Sequence, residues 1–539
     1  MPNSRIGRTA VALGSIIFCW GLFVILMHYV WPYLGIVILE ELNGTAAYAW
    51  IHQIPNMMSL IPRIHIFGID IPAMLMLYHG PWSIYFLTPF IAIGGCSLAT
   101  LRFYSAFMFF FALWGTWRLT LLLSGDRITA FLSTFLLAVC PIMVTTHCLN
   151  VAEPDIAGSI WALCFAVSFA RSRKPIYAYA ACAAFFAALC ARAYVAGLGV
   201  GLLLYASLSW RRLLSLLPQS RWAKARLITG CLGCAVIFLL PIIAYNAGHG
   251  WPTLKFFAAH LVQRDPVCAM IPDQACSNLA YWTNLKTSFS QLAMLWDGTP
   301  FSVLAREPWH WLYVLPLSLS LFCATEDAWR RRTIWSVPAM LWIVVIGYFL
   351  VSPVSPTEQF PIHLAPLTPI LCVLALSWIS AVVPAGPKRR AALLAMAILC
   401  AAQFTGDFHL LRRDNLDFSK AGWYQNAPIL IAACRWAQEH SRTPIISLSS
   451  SFAVAAPYFT QNQARMIPWP RWNPAYRVPW KRWLRRKDRP YFLIENDGNG
   501  LNYADALKTA AKKFGIPLVS AKVFSSASGH PAFEFYRAL

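Results

Sequence analysis

What most constrains this chain is a succession of apolar runs, each flanked by polar or basic residues. They fall near residues 10 to 38, 103 to 123, 128 to 147, 157 to 170, 176 to 191, 194 to 209, 227 to 245, 309 to 324, 334 to 352, 364 to 383 and 391 to 405, about eleven candidate spans. A bilayer core of about 30 Å takes about 20 apolar residues in a helix, and every backbone polar group within it must be satisfied internally. The expected fold is therefore a polytopic α-helical membrane protein of about 11 to 13 transmembrane helices. Composition agrees: 58% of the residues are hydrophobic and 12% charged. Soluble domains carry about 25% charged residues, so an ordinary soluble enzyme is excluded. The first run is too long for a signal-peptide core and lacks a clean small-residue cleavage site, so it is read as a retained helix.

The net charge of +22 raises the question of nucleic acid. Its Lys and Arg fall in short clusters between apolar runs, with no basic stripe interleaved with stacking aromatics, so the charge is topological and no nucleic-acid partner is expected. Orientation then turns on Trp82 to Gly95, a shorter segment interrupted by Pro89. If it does not cross, Arg5 and Arg8, Arg118 and Arg127, Arg171 to Lys174, Trp210 to Arg226, Trp329 to Arg332 and Pro387 to Arg390 share the cytoplasmic side. If it crosses, the early clusters and Arg171 to Lys174 turn outward. It is read as a juxtamembrane or re-entrant element. Glu40 to Pro81, Leu149 to Asp155, Asn246 to Pro308, Ser352 to His363 and everything after about Gln403 then lie on the outer face.

Beyond Thr405 the apolar runs shorten to strand length in PIISLSSSFAV, RPYFLIEN, IPLVSAKVFSS and PAFEFYRAL, with a helix-like ADALKTAAKKFG between two of them. The expected organisation is a transmembrane domain over 1–405, with a first outer loop at 39–98 and a large one at 246–308, followed by a small α/β extracytoplasmic domain over 406–539. The stretch from Met466 to Pro490, rich in Trp, Pro and Arg, reads as a basic aromatic loop, either resting on anionic head groups or solvated. Most cysteines sit in apolar runs as small hydrophobes. Cys268 and Cys276 share a polar outer loop and are read either as a disulfide or as two thiols.

The chain is poor in acid, yet two acidic pairs, Glu40 with Glu41 and Glu153 with Asp155, fall on the same outer face. Asp155 with Pro154 before it also fits a helix start, where a carboxylate complements the macrodipole. Glu40 and Glu41, read as the C-terminal end of the first helix, do not fit that explanation. Glycosyl transfer from a lipid-linked phosphosugar would use such a carboxylate as general base toward an acceptor hydroxyl, and cations to stabilise the departing phosphate. Outer-face cations include Arg63, His65, His79, Arg102, Lys255, His260, Arg264 and His363. Glu153 and Asp155 supply two oxygen ligands but only part of a divalent-cation site, so no cofactor is established and a divalent metal stays open.

The order of features resembles a family. Gly68 to Phe107, with His79-Gly80-Pro81, Gly94-Gly95 and Arg102, is similar to a segment of the GT-C glycosyltransferases. The likeness is to the protein O-mannosyltransferase and aminoarabinose transferase-like branch (glycosyltransferase family 39-like). Thr357 to Leu376 resembles its later segment, in which a basic-aromatic pair precedes a Pro-rich helix start, and the Glu153-Pro154-Asp155 loop sits at its second acidic position. The resemblance implies an inverting transferase using a polyprenyl-phosphate sugar, with a first-loop acid before a Tyr as base and a lipid, glycan or protein as acceptor. On this chain the Tyr matches Tyr48, but the positions just before it hold Gly44 and Thr45, and the acids stand earlier, at Glu40 and Glu41. The implied site is Glu41 or Glu40 as base, Glu153 and Asp155 in support, and Tyr48, Arg63, His79, Arg102, Arg264 and His363 toward substrate. It would face the periplasm from a bacterial inner membrane. Two readings compete: a secondary transporter or lipid flippase, with ionisable groups at midplane such as Arg192, and a catalytically inactive partner subunit.

Overall fold

In the computed structural model each of the apolar runs contains a helix. The structure describes residues 5–30, 38–54, 61–75, 79–140, 143–144, 154–255, 311–331, 336–351, 365–383, 386–412, 427–448, 450–464, 466–468, 480–495, 503–525 and 531–539. The N-terminal, mostly helical part comprises α1 (Arg5–Val30), α2 (Ile38–His52), the hairpin β1 (Arg63–Ile66) and β2 (Ile69–Pro72), α3 (Trp82–Gly94), α4 (Leu98–Ser124) and α5 (Arg127–Ala138). It continues through α6 (Pro154–Ser172), α7 (Pro175–Ala191), α8 (Ala196–Leu208), α9 (Trp210–Leu216), α10 (Arg221–Gly248), α11 (Trp311–Arg331), α12 (Val337–Val351), α13 (Thr368–Val382) and α14 (Pro387–Arg412).

Among the described residues, Thr9–His28, Leu98–Ser124 and Arg221–Gly248 are each long and apolar enough to cross a membrane, and α8 with α9 makes a pair bent by 95°. α5, α7, α12 and Ala365–Ser377 are shorter apolar helices. α3, at 13 residues, is also short. At 1.5 Å per residue it covers about 20 Å, less than the hydrocarbon core.

The helix register fixes which loops share an end of the bundle. Asp155 meets Arg192 while Phe165 meets Tyr177, so α6 and α7 form an antiparallel hairpin. Tyr179 Oη donates to the Arg226 carbonyl and Cys190 Sγ donates to the Phe238 carbonyl, so α7 and α10 run parallel. The basic residues that open α7 and α10 therefore lie at one end, and Arg192 lies at the other. At the basic end Asp126 caps α5, its carboxylate accepting from Thr129 N–H at 3.0 Å and standing 3.7 Å from Arg389. Partial burial opposes ionisation of Asp126, but the Thr129 hydrogen bonds and Arg389 hold its carboxyl below the usual range. These contacts set the basic start of α7 beside that of α10, and Arg389 beside the start of α5.

The core runs from Ile16 in α1 through α4 to α8, α12 and α13. Apolar attraction between helices is weak in lipid, so close packing of small residues carries association. α8 and α12 show this most sharply: a Cβ on Gly347 would lie 2.3 Å from the Gly201 Cα, and one on Gly201 would lie 2.5 Å from the Val344 Cα.

The C-terminal part holds α15 (Ala427–Glu439), β3 (Ile445–Ser447), α16 (Ser450–Phe459), β4 (Met466–Pro468), α17 (Trp480–Leu484), β5 (Tyr491–Glu495), α18 (Tyr503–Lys513), β6 (Leu518–Ser525) and β7 (Pro531–Ala538). The sheet order is β4-β3-β5-β7-β6, parallel from β4 to β5, with β7 antiparallel to both neighbours. Alternation along the strands splits the core in two. Ile445, Tyr491 and Leu493 face α15 and α16, whereas Ile446, Phe492 and Ile494 face α17 and α18. Three details depart from the sequence reading. The run PIISLSSSFAV is a strand only to Ser447 and a helix from Ser450, the Trp-rich stretch contributes β4 and the buried Trp483 of α17, and α14 continues past residue 405 to Arg412.

Forcing a side chain into the α8–α12 contact is expected to separate the helices. Gly347→Val should lower stability by about 1–3 kcal/mol, the range for overpacked cores. Thermal unfolding of detergent-purified protein measures this; an unchanged midpoint would refute the contact.

Candidate functional site

The described polar residues converge at the end of the bundle opposite the basic clusters. Arg192 is extended backbone between α7 and the short 3₁₀ turn Ala193–Val195. Its Nε stands 3.3 Å from Asp155 Oδ2 in the first turn of α6, and both side chains are almost fully buried, at 3% and 2% exposure. Asp155 Oδ1 also accepts from the Ile156 N–H at 2.7 Å. A buried charge is tolerated when it keeps a counter-charge, and each of these two has the other within ion-pair distance. Tyr348 of α12 is buried within electrostatic range of both charges.

His79 packs on the same helix end, in the loop preceding α3. Its Nδ1 lies 3.1 Å from the Ala191 carbonyl oxygen, so the neutral ring carries its proton on Nδ1 and donates there. Burial, with the positive charge of Arg192 beside it, pushes the imidazole down to about 3. His79 is thus a neutral hydrogen-bonding group at physiological pH. Gly80 allows the approach: a Cβ there would stand 2.1 Å from the Cys190 carbonyl oxygen.

The sequence-derived residues divide into groups. Asp155 and His79 meet at Arg192. Glu40 and Glu41 stand in the first turn of α2, which begins at Ile38. This corrects their placement at the end of the first helix: the run holds Pro32, whose missing N–H and ring disfavour continuing a helix. At a helix N-terminus the macrodipole favours a carboxylate, so the electrostatic objection to these two acids disappears. Tyr48 is further along α2, its hydroxyl donating to the Gln461 carbonyl at 3.3 Å. Arg63 lies on the β1–β2 hairpin 3.3 Å from Asp70, which also holds His65 at 3.0 Å. Arg102 is wholly buried near the start of α4. Glu153, Arg264, His363, Cys268 and Cys276 lie outside the described residues. Among the described residues no group of three or more His, Cys, Asp and Glu side chains gathers as a metal site.

Sequence reasoning treated Arg192 as a charge inside a span and missed its pairing. The signal was present: it is the only charged residue between Lys174 and Arg211, and the topology count sets it at the same mouth as Asp155. Tyr348 carried no such signal, because a tyrosine within an apolar helix reads as packing. An open depression lined by Arg435, Trp436, Glu439, Lys522 and Phe524 lies on the C-terminal sheet domain and contains none of these residues.

No protein-family model matches the chain, and no curated protein matches it in sequence. Solved structures do. ArnT from Cupriavidus metallidurans bound to undecaprenyl phosphate superposes with a TM-score of 0.59 at 12% identity, over 99% of this chain and 98% of that one. The Archaeoglobus fulgidus oligosaccharyltransferase in complex with Zn and sulfate gives 0.52 at 14% identity, over 96% and 72%. The archaeal oligosaccharyltransferase AglB from the same organism, with an inhibitory peptide and a dolichol-phosphate, gives 0.50 at 12%, over 98% and 74%. The chain has the GT-C fold. The likeness to ArnT takes in nearly all of both chains, so the GT-C resemblance extends beyond residue 400 and through the C-terminal sheet. At such identities it speaks for the fold and not for individual residues.

Removing one partner of the buried pair should be worse than removing both. Asp155→Leu is expected to cost about 3–5 kcal/mol, and adding Arg192→Met should recover most of it. Thermal unfolding of the three variants measures the coupling, and equal loss in single and double variants would contradict it. His79 supplies a pH signature. Its folded value lies below the unfolded one of 6.5, so the unfolded chain binds the extra proton. The contribution of His79 is complete above that pH and is lost as pH falls toward 3, at up to about 1.4 kcal/mol per pH unit. His79→Gln should flatten that slope.

Proposed function

We propose that the chain is an integral membrane glycosyltransferase that moves a hexose or pentose from a polyprenyl-phosphate donor to an acceptor at the outer face, by inverting displacement. The observation that carries this reading is the buried Asp155–Arg192–His79 cluster, set at the end of a GT-C bundle opposite the basic clusters. In ArnT that fold is bound to undecaprenyl phosphate. Transfer needs two things from the protein, a base and groups that stabilise the departing phosphate. A carboxylate takes the proton of the acceptor hydroxyl as its oxygen attacks the anomeric carbon. The bond from that carbon to the phosphate oxygen breaks, and the polyprenyl phosphate leaves with the electron pair. Cations and hydrogen-bond donors stabilise the charge that develops on it.

The roles follow from access and charge. Asp155 is enclosed and tied to Arg192, which suits support rather than proton abstraction. Glu41 or Glu40, near the start of α2, is assigned as the general base. Arg264 and His363 are assigned to the phosphate, and Glu153 to support. Arg63 is assigned there too, with Asp70 competing for its charge. The acceptor is a lipid, glycan or protein. The site faces the periplasm from a bacterial cytoplasmic membrane, with residues 1–405 forming the transmembrane domain and 406–539 the extracytoplasmic one. The sidedness of the basic clusters supports that orientation.

The test is transfer from radiolabelled polyprenyl-phosphate sugars in membranes containing the protein. Wild type should transfer label, and Glu40→Ala with Glu41→Ala should reduce the rate by about 10²–10⁴-fold, the span of general-base catalysis. Full activity in the double variant would remove the base assignment.

A further inference from the structure

Tyr458 of the C-terminal domain reaches the acid-bearing helix α2. Tyr458, the penultimate residue of α16, has no exposed surface. Its hydroxyl accepts from the Ser97 N–H and donates to the Ser97 carbonyl oxygen, both at 3.0 Å. Ser97 is the N-cap of α4, its Oγ accepting from the Thr100 N–H at 3.1 Å. The Thr100 hydroxyl in turn donates to the Gly94 carbonyl at the end of α3, at 3.0 Å. One phenol is thereby fixed to the corner where α3 gives way to α4.

The ring of the same residue presses on α2. A Cβ on Gly44 would stand 3.1 Å from Tyr458 Cε2, so the helix meets the ring closely at a position without a side chain. Gly44 is less than one helical turn from Glu41. The flanking Asn43, Thr45, Ala46 and Ala47 are buried, and Tyr458 shares an apolar cluster with Ala46, Ala47, Leu101 and Tyr104. Just past α16, the Gln461 carbonyl accepts from Tyr48 of α2. Phe459 packs against both this cluster and the core of the C-terminal sheet, so the contact is continuous with that domain's interior.

We propose that Tyr458 is a positioning residue: it locks the C-terminal domain to the first outer helix and so sets where the Glu40 and Glu41 turn stands relative to Asp155. What the lock serves rests on the glycosyltransferase reading, whereas the lock itself is geometry. A phenylalanine would fill the same space without the two bonds to Ser97. Removing the hydroxyl therefore frees the ring from the α3–α4 corner, so that its seat on α2 is no longer fixed, while leaving the sheet core packed.

The experiment uses full-length protein in lipid nanodiscs, with Tyr458→Phe and, from the other side of the contact, Gly44→Ala. Hydrogen exchange of peptides from 42–52 is compared with peptides from α6 and α7, alongside kcat and KM for a polyprenyl-phosphate sugar. Each variant should raise exchange in 42–52 about tenfold or more, with α6 and α7 unchanged. The kcat should fall about tenfold or more as the base moves, while KM for the donor stays within about twofold. Unchanged exchange in 42–52, a rise spread equally over the protein, or local loosening with unchanged kcat would each overturn the positioning role. A wild-type protein that transfers no sugar would overturn the transferase reading instead, and the exchange data would still decide the lock.

Discussion

A carboxylate and a guanidinium, both removed from solvent and 3.3 Å apart, hold the mouth of this helix bundle together. Asp155 begins one helix and Arg192 follows the end of the next, so the pair closes an antiparallel hairpin at the end where its backbone leaves regular structure. Two further elements are built on that closure. The His79–Gly80 loop lies against the Ala191 and Cys190 carbonyls, and Tyr348 brings α12 to the same point. The enclosed charges share one local requirement, that each keep its counterpart.

Away from the mouth, cohesion comes from contact rather than charge. α8 and α12 touch backbone to backbone at Gly201 and Gly347, which gives dispersion and packing where lipid offers no hydrophobic drive. The C-terminal domain is joined by a similar close approach, Tyr458 on Gly44, reinforced by hydrogen bonds to Ser97. The mouth is therefore framed from two directions, by α6 and α7 from within the bundle and by α16 acting on α2 and α4.

Much of this was legible in the chain. The apolar runs become helices because a segment crossing lipid must satisfy its own backbone, a requirement visible in composition. The basic clusters gave an expected sidedness, and the contacts of Asp126 with Arg389 and Tyr179 with Arg226 bring together four of the basic segments, two by two. Legibility failed where three-dimensional neighbours decide. Hydropathy merged the end of α1 with the start of α2 and hid the helix start that accommodates Glu40 and Glu41. The run PIISLSSSFAV passes for one strand, yet from Ser450 it folds as a helix against α15 and the sheet. The partner of Arg192 is 37 residues away in sequence, which no local pattern encodes.

The proposed roles all depend on a polyprenyl-phosphate sugar reacting at this mouth. The most direct measurement is a structure of the protein with a non-hydrolysable polyprenyl-phosphate sugar bound. The phosphate and anomeric carbon are expected between the first turn of α2 and the Asp155–Arg192 pair, with a Glu40 or Glu41 oxygen facing the anomeric centre. A phosphate seated at the opposite, basic end of the bundle would contradict it.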